Sequence, residues 1–179
     1  MTATTKKVLT ALVASVPLLA IAGFATASGG APSLDPVRDA TVRYHDIRVA
    51  KKQGFAELKL FGTSTSCIAN GAKGAMGIHM VNSRRVGDGK LRATEPEALL
   101  YERRSNGIYR LTGVEYIRPI GSEAPAADTA APTLLGQKLN VTDAEAFFGS
   151  PTYLYTLHVW VWKPNPGGLF SSWNRQVSC

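Results

Sequence analysis

Four stretches of this 179-residue chain, about 75–82, 97–104, 108–118 and 153–163, are rich in aliphatic and aromatic residues and have strand length. Asn106-Gly107 stands between the second and third. That dipeptide suits a tight hairpin, because both central residues of such a turn take positive φ. The two flanking strands are therefore expected to be antiparallel neighbours. One helical stretch precedes them. Asp35-Pro36 reads as an N-cap followed by proline at the first helical position, and the segment runs to about Lys52 before Gly54 ends it. Val37, Ala40, Tyr44 and Ile47 form one apolar stripe, and Val42, His45 and Val49 form a second beside it. Two stripes suit a helix lying in a groove, although the alternation from Val42 to Tyr44 also fits a strand. The expected fold class is α+β: an N-terminal helix packed on a curved antiparallel sheet that can curl into a half-barrel.

Residues 62–74 read as a Gly/Ser/Thr/Asn-rich loop carrying Cys67, and 121–133 as an Ala/Pro-rich surface loop. Asp143 to Phe148 fits one short helical turn stopped by Gly149-Ser150-Pro151, and Pro164-Asn165-Pro166-Gly167-Gly168 marks a turn after the last strand. Cys67 and Cys179 are the only cysteines, and neither has a second Cys or His at ligand spacing. An even count in an oxidising compartment reads as a disulfide. Closing so long a loop is worth about 4 kcal/mol in the chain-entropy model.

The oxidising compartment is itself an expectation from the N-terminus. Lys6 and Lys7 form a positive region, Val8 to Phe24 is largely apolar, and Ala25-Thr26-Ala27 is a small-x-small cleavage site. Residues 1–27 are expected to be a signal peptide, 28–33 a flexible mature N-terminus, and 34–179 a single domain, in a secreted or periplasmic protein. An uncleaved anchor is the competing reading. No later stretch approaches the roughly 18 apolar residues of a spanning helix, so no stable membrane span is expected after cleavage. Cleavage takes the formal charge from +7 to +5, because residues 1–27 hold two lysines and no acid. The remaining basic pairs, such as Lys51-Lys52, Arg84-Arg85 and Arg103-Arg104, are scattered along the chain. Scattered pairs mark solvated faces, and with export they argue against a nucleic-acid partner.

The chain has three histidines, His45, His79 and His158, and each lies beside apolar or aromatic residues. Side chains alternate along a strand, so Gly77, His79 and Val81 share one face, as do Ala98, Leu100 and Glu102. By the same parity Leu111, Gly113, Glu115 and Ile117 share a face, and so do Thr156, His158, Trp160 and Trp162. A carboxylate among apolar neighbours is expensive unless paired or coordinated. Glycines two residues before His79 and Glu115 leave space above the sheet, as a pocket needs. Together these residues suggest a metal site drawn from His45, His79, His158, Glu102 and Glu115, with Zn, Fe, Mn or Cu as the ion. The competing account has three unrelated histidines satisfied by hydrogen bonds, with Glu102 and Glu115 paired to Arg103, Arg110 or Arg118.

A different class of function is a metal-free module that binds a small molecule or carbohydrate in a pocket lined by Tyr101, Tyr116, Trp160 and Trp162. A purely structural envelope protein is a third. No HExxH, His-x-His, zinc-ribbon or G-x-S-x-G pattern is present, and the glycine runs lack phosphate-loop spacing. Whether the protein is an enzyme is therefore left open.

Several runs are distinctive: Gly74-Ala75-Met76-Gly77-Ile78-His79-Met80-Val81-Asn82, Pro96-Glu97-Ala98-Leu99-Leu100-Tyr101-Glu102 and Gly113-Val114-Glu115-Tyr116. The last is Leu157-His158-Val159-Trp160-Val161-Trp162 through Asn165-Pro166-Gly167, then Trp173-Asn174 and Val177-Ser178-Cys179. Together they resemble a family of small secreted bacterial proteins with no assigned activity. The resemblance spans nearly the whole mature chain, and the C-terminal run is its most specific part. It implies export and a single domain, and carries over no mechanism. Where it leads one to expect proline after Trp173-Asn174, this chain has Arg175.

Overall fold

The structure is a computed structural model that describes residues 1–2 and 33–179. The expected leader and the start of the mature chain, apart from Met1, Thr2 and Ser33, lie outside the described residues. No helix among the described residues is long and apolar enough to cross a membrane.

The N-terminal stretch is helical but broken. It comprises α1 (Asp35–Thr41), a 3₁₀ turn (Val42–His45) and α2 (Ile47–Lys52). Asp46 causes the second break. Its backbone is extended, and its carboxylate accepts a hydrogen bond from the Arg48 amide, so it caps α2 instead of continuing the preceding turn. Short polar side chains compete with helical hydrogen bonding in this way. The first helix also begins one residue earlier than expected, with Leu34 rather than Asp35 at the N-cap.

The rest is mostly antiparallel sheet: β1 (Ala56–Glu57), β2 (Cys67–Asn70), β3 (Gly74–Val81), β4 (Ala98–Arg103), β5 (Tyr109–Gly121), β8 (Asn140–Asp143) and β9 (Tyr153–Val159). The order is β1-β3-β4-β5-β9-β8, with β2 also pairing β3. A separate two-stranded hairpin joins β6 (Thr133–Leu134) to β7 (Gln137–Lys138). Short helices α3 (Ser83–Asp88) and α4 (Glu145–Phe148) complete the chain. All four expected strands are present; Gly107 takes a positive φ, +79°, but Asn106 does not, and the β4–β5 loop is closed by Arg104 and Ile108 around Ser105, Asn106 and Gly107. The loop expected at 62–74 contains a strand, β2, which ends in a turn leading directly into β3.

The sheet presents two unlike faces. On one, Ile78, Met80, Leu99, Tyr101, Val114, Tyr116, Leu157 and Val159 form a buried core with Val37, Tyr44, Ala50 and Phe55. The Tyr101 hydroxyl donates to the Tyr44 carbonyl at 2.6 Å, and the Tyr116 hydroxyl to the Ala93 carbonyl at 2.6 Å. Burial holds both phenols well above their ordinary pKa, so they remain neutral donors. On the other face Ala75, Leu100, Trp160 and Val177 form a smaller cluster. The C-terminal segment lies over this cluster. Asn174 exchanges backbone hydrogen bonds with Ala75, the Trp160 indole donates to the Ser171 carbonyl, and Cys179 is disulfide-bonded to Cys67.

Two sequence expectations about side-chain direction fail here. A bulge in the β4–β5 ladder, where Leu100 pairs Gly113 but Tyr101 pairs Leu111, shifts the parity of β5. Leu111 therefore joins the tyrosine core, while Gly113 and Glu115 remain on the opposite side. Strand β9 ends at Val159, so Trp162 does not follow Trp160; it packs against the tyrosine core and donates to the Thr41 hydroxyl.

Because the disulfide spans 112 residues and secures the segment over the second face, Cys179→Ser is expected to lower stability by roughly 2–5 kcal/mol. Urea unfolding of oxidised wild type against the variant measures this; an unchanged midpoint would show that the segment holds without the bridge.

Candidate metal centre

The register explains how residues far apart in sequence meet. Val81 pairs Ala98, Ala98 pairs Glu115, and Glu115 pairs His158, forming one row across β3, β4, β5 and β9. His79 stands two residues before Val81 on the same face, opposite Leu100. Ala98, wholly buried, places only a methyl group between β3 and β5. Across that gap the Nε2 of His79 lies 3.3 Å from one oxygen of Glu115. The Nε2 of His158 lies 3.7 Å from the other oxygen. The two imidazole rings stand nearly perpendicular, at 84°, with centroids 5.8 Å apart.

One donor atom from each residue falls within 4.8 Å of the other two, so the three can hold a metal ion. At ligand distances of about 2.0–2.1 Å, donors of a tetrahedral ion stand roughly 3.3 Å apart, close to the separations between each histidine and the carboxylate. All three side chains are buried, at 3 to 5 % exposure. Their hydrogen bonding is incomplete. Both ring nitrogens of His158 and the Nδ1 of His79 are buried without a partner. Buried polar atoms in native proteins are normally satisfied, and an ion is one of the standard explanations when they are not.

The electrostatics agree with that arrangement. Burial pushes His79 down to about 4, partly offset by the nearby Gly77 backbone, and pushes His158 down to about 3 with His79 adding to the effect. Burial, with a smaller contribution from the neighbouring Glu97, lifts Glu115 to about 8. At neutral pH the metal-free site thus holds two neutral imidazoles and a protonated carboxyl. The imidazoles are already in their ligating form, and an arriving cation displaces the proton of Glu115.

The remaining candidates lie elsewhere. His45 is exposed at the end of the 3₁₀ turn, its ring edge-on to Trp162 with centroids 4.5 Å apart. Its pKa is lowered by partial burial and then by Arg110, which places it near the β5 hairpin end and away from the triad. It lies on the tyrosine-core side, where the segment that carries it packs through Val37, Tyr44 and Ala50. Glu102 is occupied by an ion pair with Lys163 and by Arg110 at 3.6 Å. The expected aromatic pocket does not form. Tyr101, Tyr116 and Trp162 belong to the opposite core, and Trp160 packs beside His158, its ring 6.3 Å away and nearly parallel.

A cavity of about 440 Å³ does open over the triad, and its walls were not foreseen. They include Ile68 and Met76 from β2 and β3, Ile117 and Leu154 from β5 and β9, and Phe147 and Phe148 from α4. The adjacent phenylalanines in a turn already expected to be helical were the available signal, since one such turn buries little unless it covers something. Comparison of the chain with family models, with curated proteins and with solved structures finds no match.

The shifts dictate how stability of metal-free protein responds to pH. Folded His79 and His158 stay neutral below their ordinary 6.5, so their contribution is complete above pH 6.5 and is lost as pH falls towards 4. Folded Glu115, and Glu97 at about 7, stay protonated above their ordinary 4.5, so their contribution is complete below pH 4.5 and is lost as pH rises. The two pairs cancel between about pH 4.5 and 6.5. Above 6.5 only the carboxyls act, and stability is expected to decline to about pH 8. Urea midpoints of chelator-treated protein across this range should show that decline, and Glu115→Gln should reduce it. A rise in stability from pH 6.5 to 8 would contradict the assignment.

Proposed function

We propose that this chain is an exported metal-binding protein in which His79, His158 and Glu115 hold a divalent first-row transition metal. The observation that carries the reading is the convergence of three buried donor residues, in which both ring nitrogens of His158 and the Nδ1 of His79 have no hydrogen-bond partner. A hydrogen-bonded cluster without metal would give His158 a partner, and it has none among the described residues. The donor set contains imidazole and carboxylate without thiolate, which suits Zn, Fe, Mn or Cu(II). Three protein ligands leave at least one coordination position free on the cavity side, so the site has the means to polarise a bound water or ligand.

Export rests on the signal-peptide pattern of residues 1–27 and on the resemblance to small secreted bacterial proteins. The disulfide is compatible with it. In this reading the three-part N-terminal helical segment and the curl of the sheet towards a half-barrel hold the four ligand-row strands rigid. That rigidity keeps the donors converged before the ion arrives.

Elemental analysis of protein purified from the periplasm or medium is expected to find a stoichiometric transition metal in wild type and in His45→Ala, but not in His79→Ala or His158→Ala. Thermal unfolding supplies a second readout. Metal at about 100 times its Kd should stabilise the wild type by about 2.7 kcal/mol and leave the two site variants unmoved. Full metal content in both site variants would overturn the proposal.

A further inference from the structure

The cavity over the triad has a character of its own. Its volume of about 440 Å³ is that of a small-molecule site. Apart from the triad, the charged residues lining it are Glu57 and Lys59, both from the partly exposed chain at and just after β1. Two of its polar residues, Thr142 and Thr156, spend their hydroxyls on each other at 2.7 Å. What remains for a ligand body is mostly hydrocarbon: Ile68, Met76, Ile117, Leu154, Phe147 and Phe148. The roof is tied down, since the Phe61 amide donates to the Phe147 carbonyl at 2.9 Å and the Phe61 ring lies against Gly149.

Charge then selects the head group. A divalent ion with one carboxylate and two neutral imidazoles carries a net charge of about +1 in a buried, apolar setting, which is costly unless compensated. A neutral ligand leaves that charge standing. A phosphate dianion overshoots it and brings three strong acceptor oxygens into walls that offer few donors. A single carboxylate cancels it and supplies the oxygen donor that the open coordination position accepts. We infer that the cavity binds an amphiphilic monocarboxylate, its carboxylate on the metal and its apolar body between Phe147, Phe148, Ile117 and Leu154.

This inference rests on the metal reading above, and the experiment separates the two. Full-length protein is loaded with zinc, and octanoate, acetate, 1-octanol and inorganic phosphate are titrated calorimetrically. Octanoate is expected to bind the loaded protein more than about tenfold tighter than it binds metal-free protein, and tighter than the other three probes bind. Leu154→Trp, which fills the cavity, should keep the metal and weaken octanoate by about tenfold or more. In cobalt-substituted protein, octanoate should shift the visible ligand-field spectrum and 1-octanol should not. Metal uptake without octanoate binding, equal octanoate affinity with and without metal, or a preference for phosphate or octanol would each overturn the inference and leave the metal site standing. Failure to take up any metal would remove both.

Discussion

Burying Glu115 in the middle of the sheet is the constraint around which the second face is organised. A carboxyl there loses its hydration, and the surrounding apolar residues return nothing for it. The structure meets this with neighbours of definite kinds. Ala98 is small enough to open a diagonal to His79, His158 stands directly across β9, and Gly113 two residues earlier has no side chain to crowd the row. A Cβ at Gly113 would sit 2.7 Å from the Val159 carbonyl, so glycine there also lets the chain leaving β9 cross close over β5. The same residue choices that make room for donors thus fix the path of the C-terminal segment.

That segment completes the enclosure. After Val159 the chain turns, Trp162 and Lys163 both donate their backbone amides to the Thr112 carbonyl, and Trp160 is left packed beside His158. Further on, Asn174 closes a bridge to Ala75 and donates from its side chain to the Pro164 carbonyl. A Cβ at Gly74 would meet the Asn174 backbone at 2.4 Å, so the contact between segment and sheet depends on glycine. The disulfide then anchors the last residue to β2, whose Ile68 is a cavity wall. One covered edge of the sheet therefore serves both stability and the shape of the chamber.

How much of this was legible in the sequence follows from which rules are local. Strand alternation is local, and it gave His79, Glu115 and His158 each the face-mates of its own strand, while the ladder register brings those three faces together. The Asn106-Gly107 hairpin fixed β4 against β5. What spoiled the remainder was mostly non-local. The bulge opposite Leu100 and Tyr101 turned Leu111 into the tyrosine core, and nothing at Thr112 announces a bulge in advance. The early end of β9 sent Trp162 to the other face, because the pattern of alternating aromatics runs on past the last paired residue. The N-terminal segment packs on the tyrosine core, so His45 in its 3₁₀ turn meets Trp162 and solvent instead of the sheet's second face. Glu102 follows the parity rule, yet Arg110, its cross-strand neighbour in the β4–β5 hairpin and a partner the competing account allowed, claims it together with Lys163 from beyond β9.

The triad is poorly explained as a device for folding. Replacing buried ionisable groups by well-packed apolar residues is often neutral or stabilising, whereas this protein keeps two histidines and a glutamate at the centre of its sheet. It keeps the two histidines incompletely hydrogen-bonded, with pKa values displaced in the directions that leave imidazoles neutral and the carboxyl protonated. Each displacement is a cost borne by the metal-free fold. A bound cation would use the two neutral imidazoles as they stand, taking a lone pair from each, and would replace the proton on Glu115. The tyrosine core on the opposite face has no such debt, because its hydroxyls are satisfied by backbone carbonyls. One sheet therefore carries a face whose tyrosine hydroxyls are satisfied by backbone carbonyls and a face whose buried histidines keep unpartnered nitrogens.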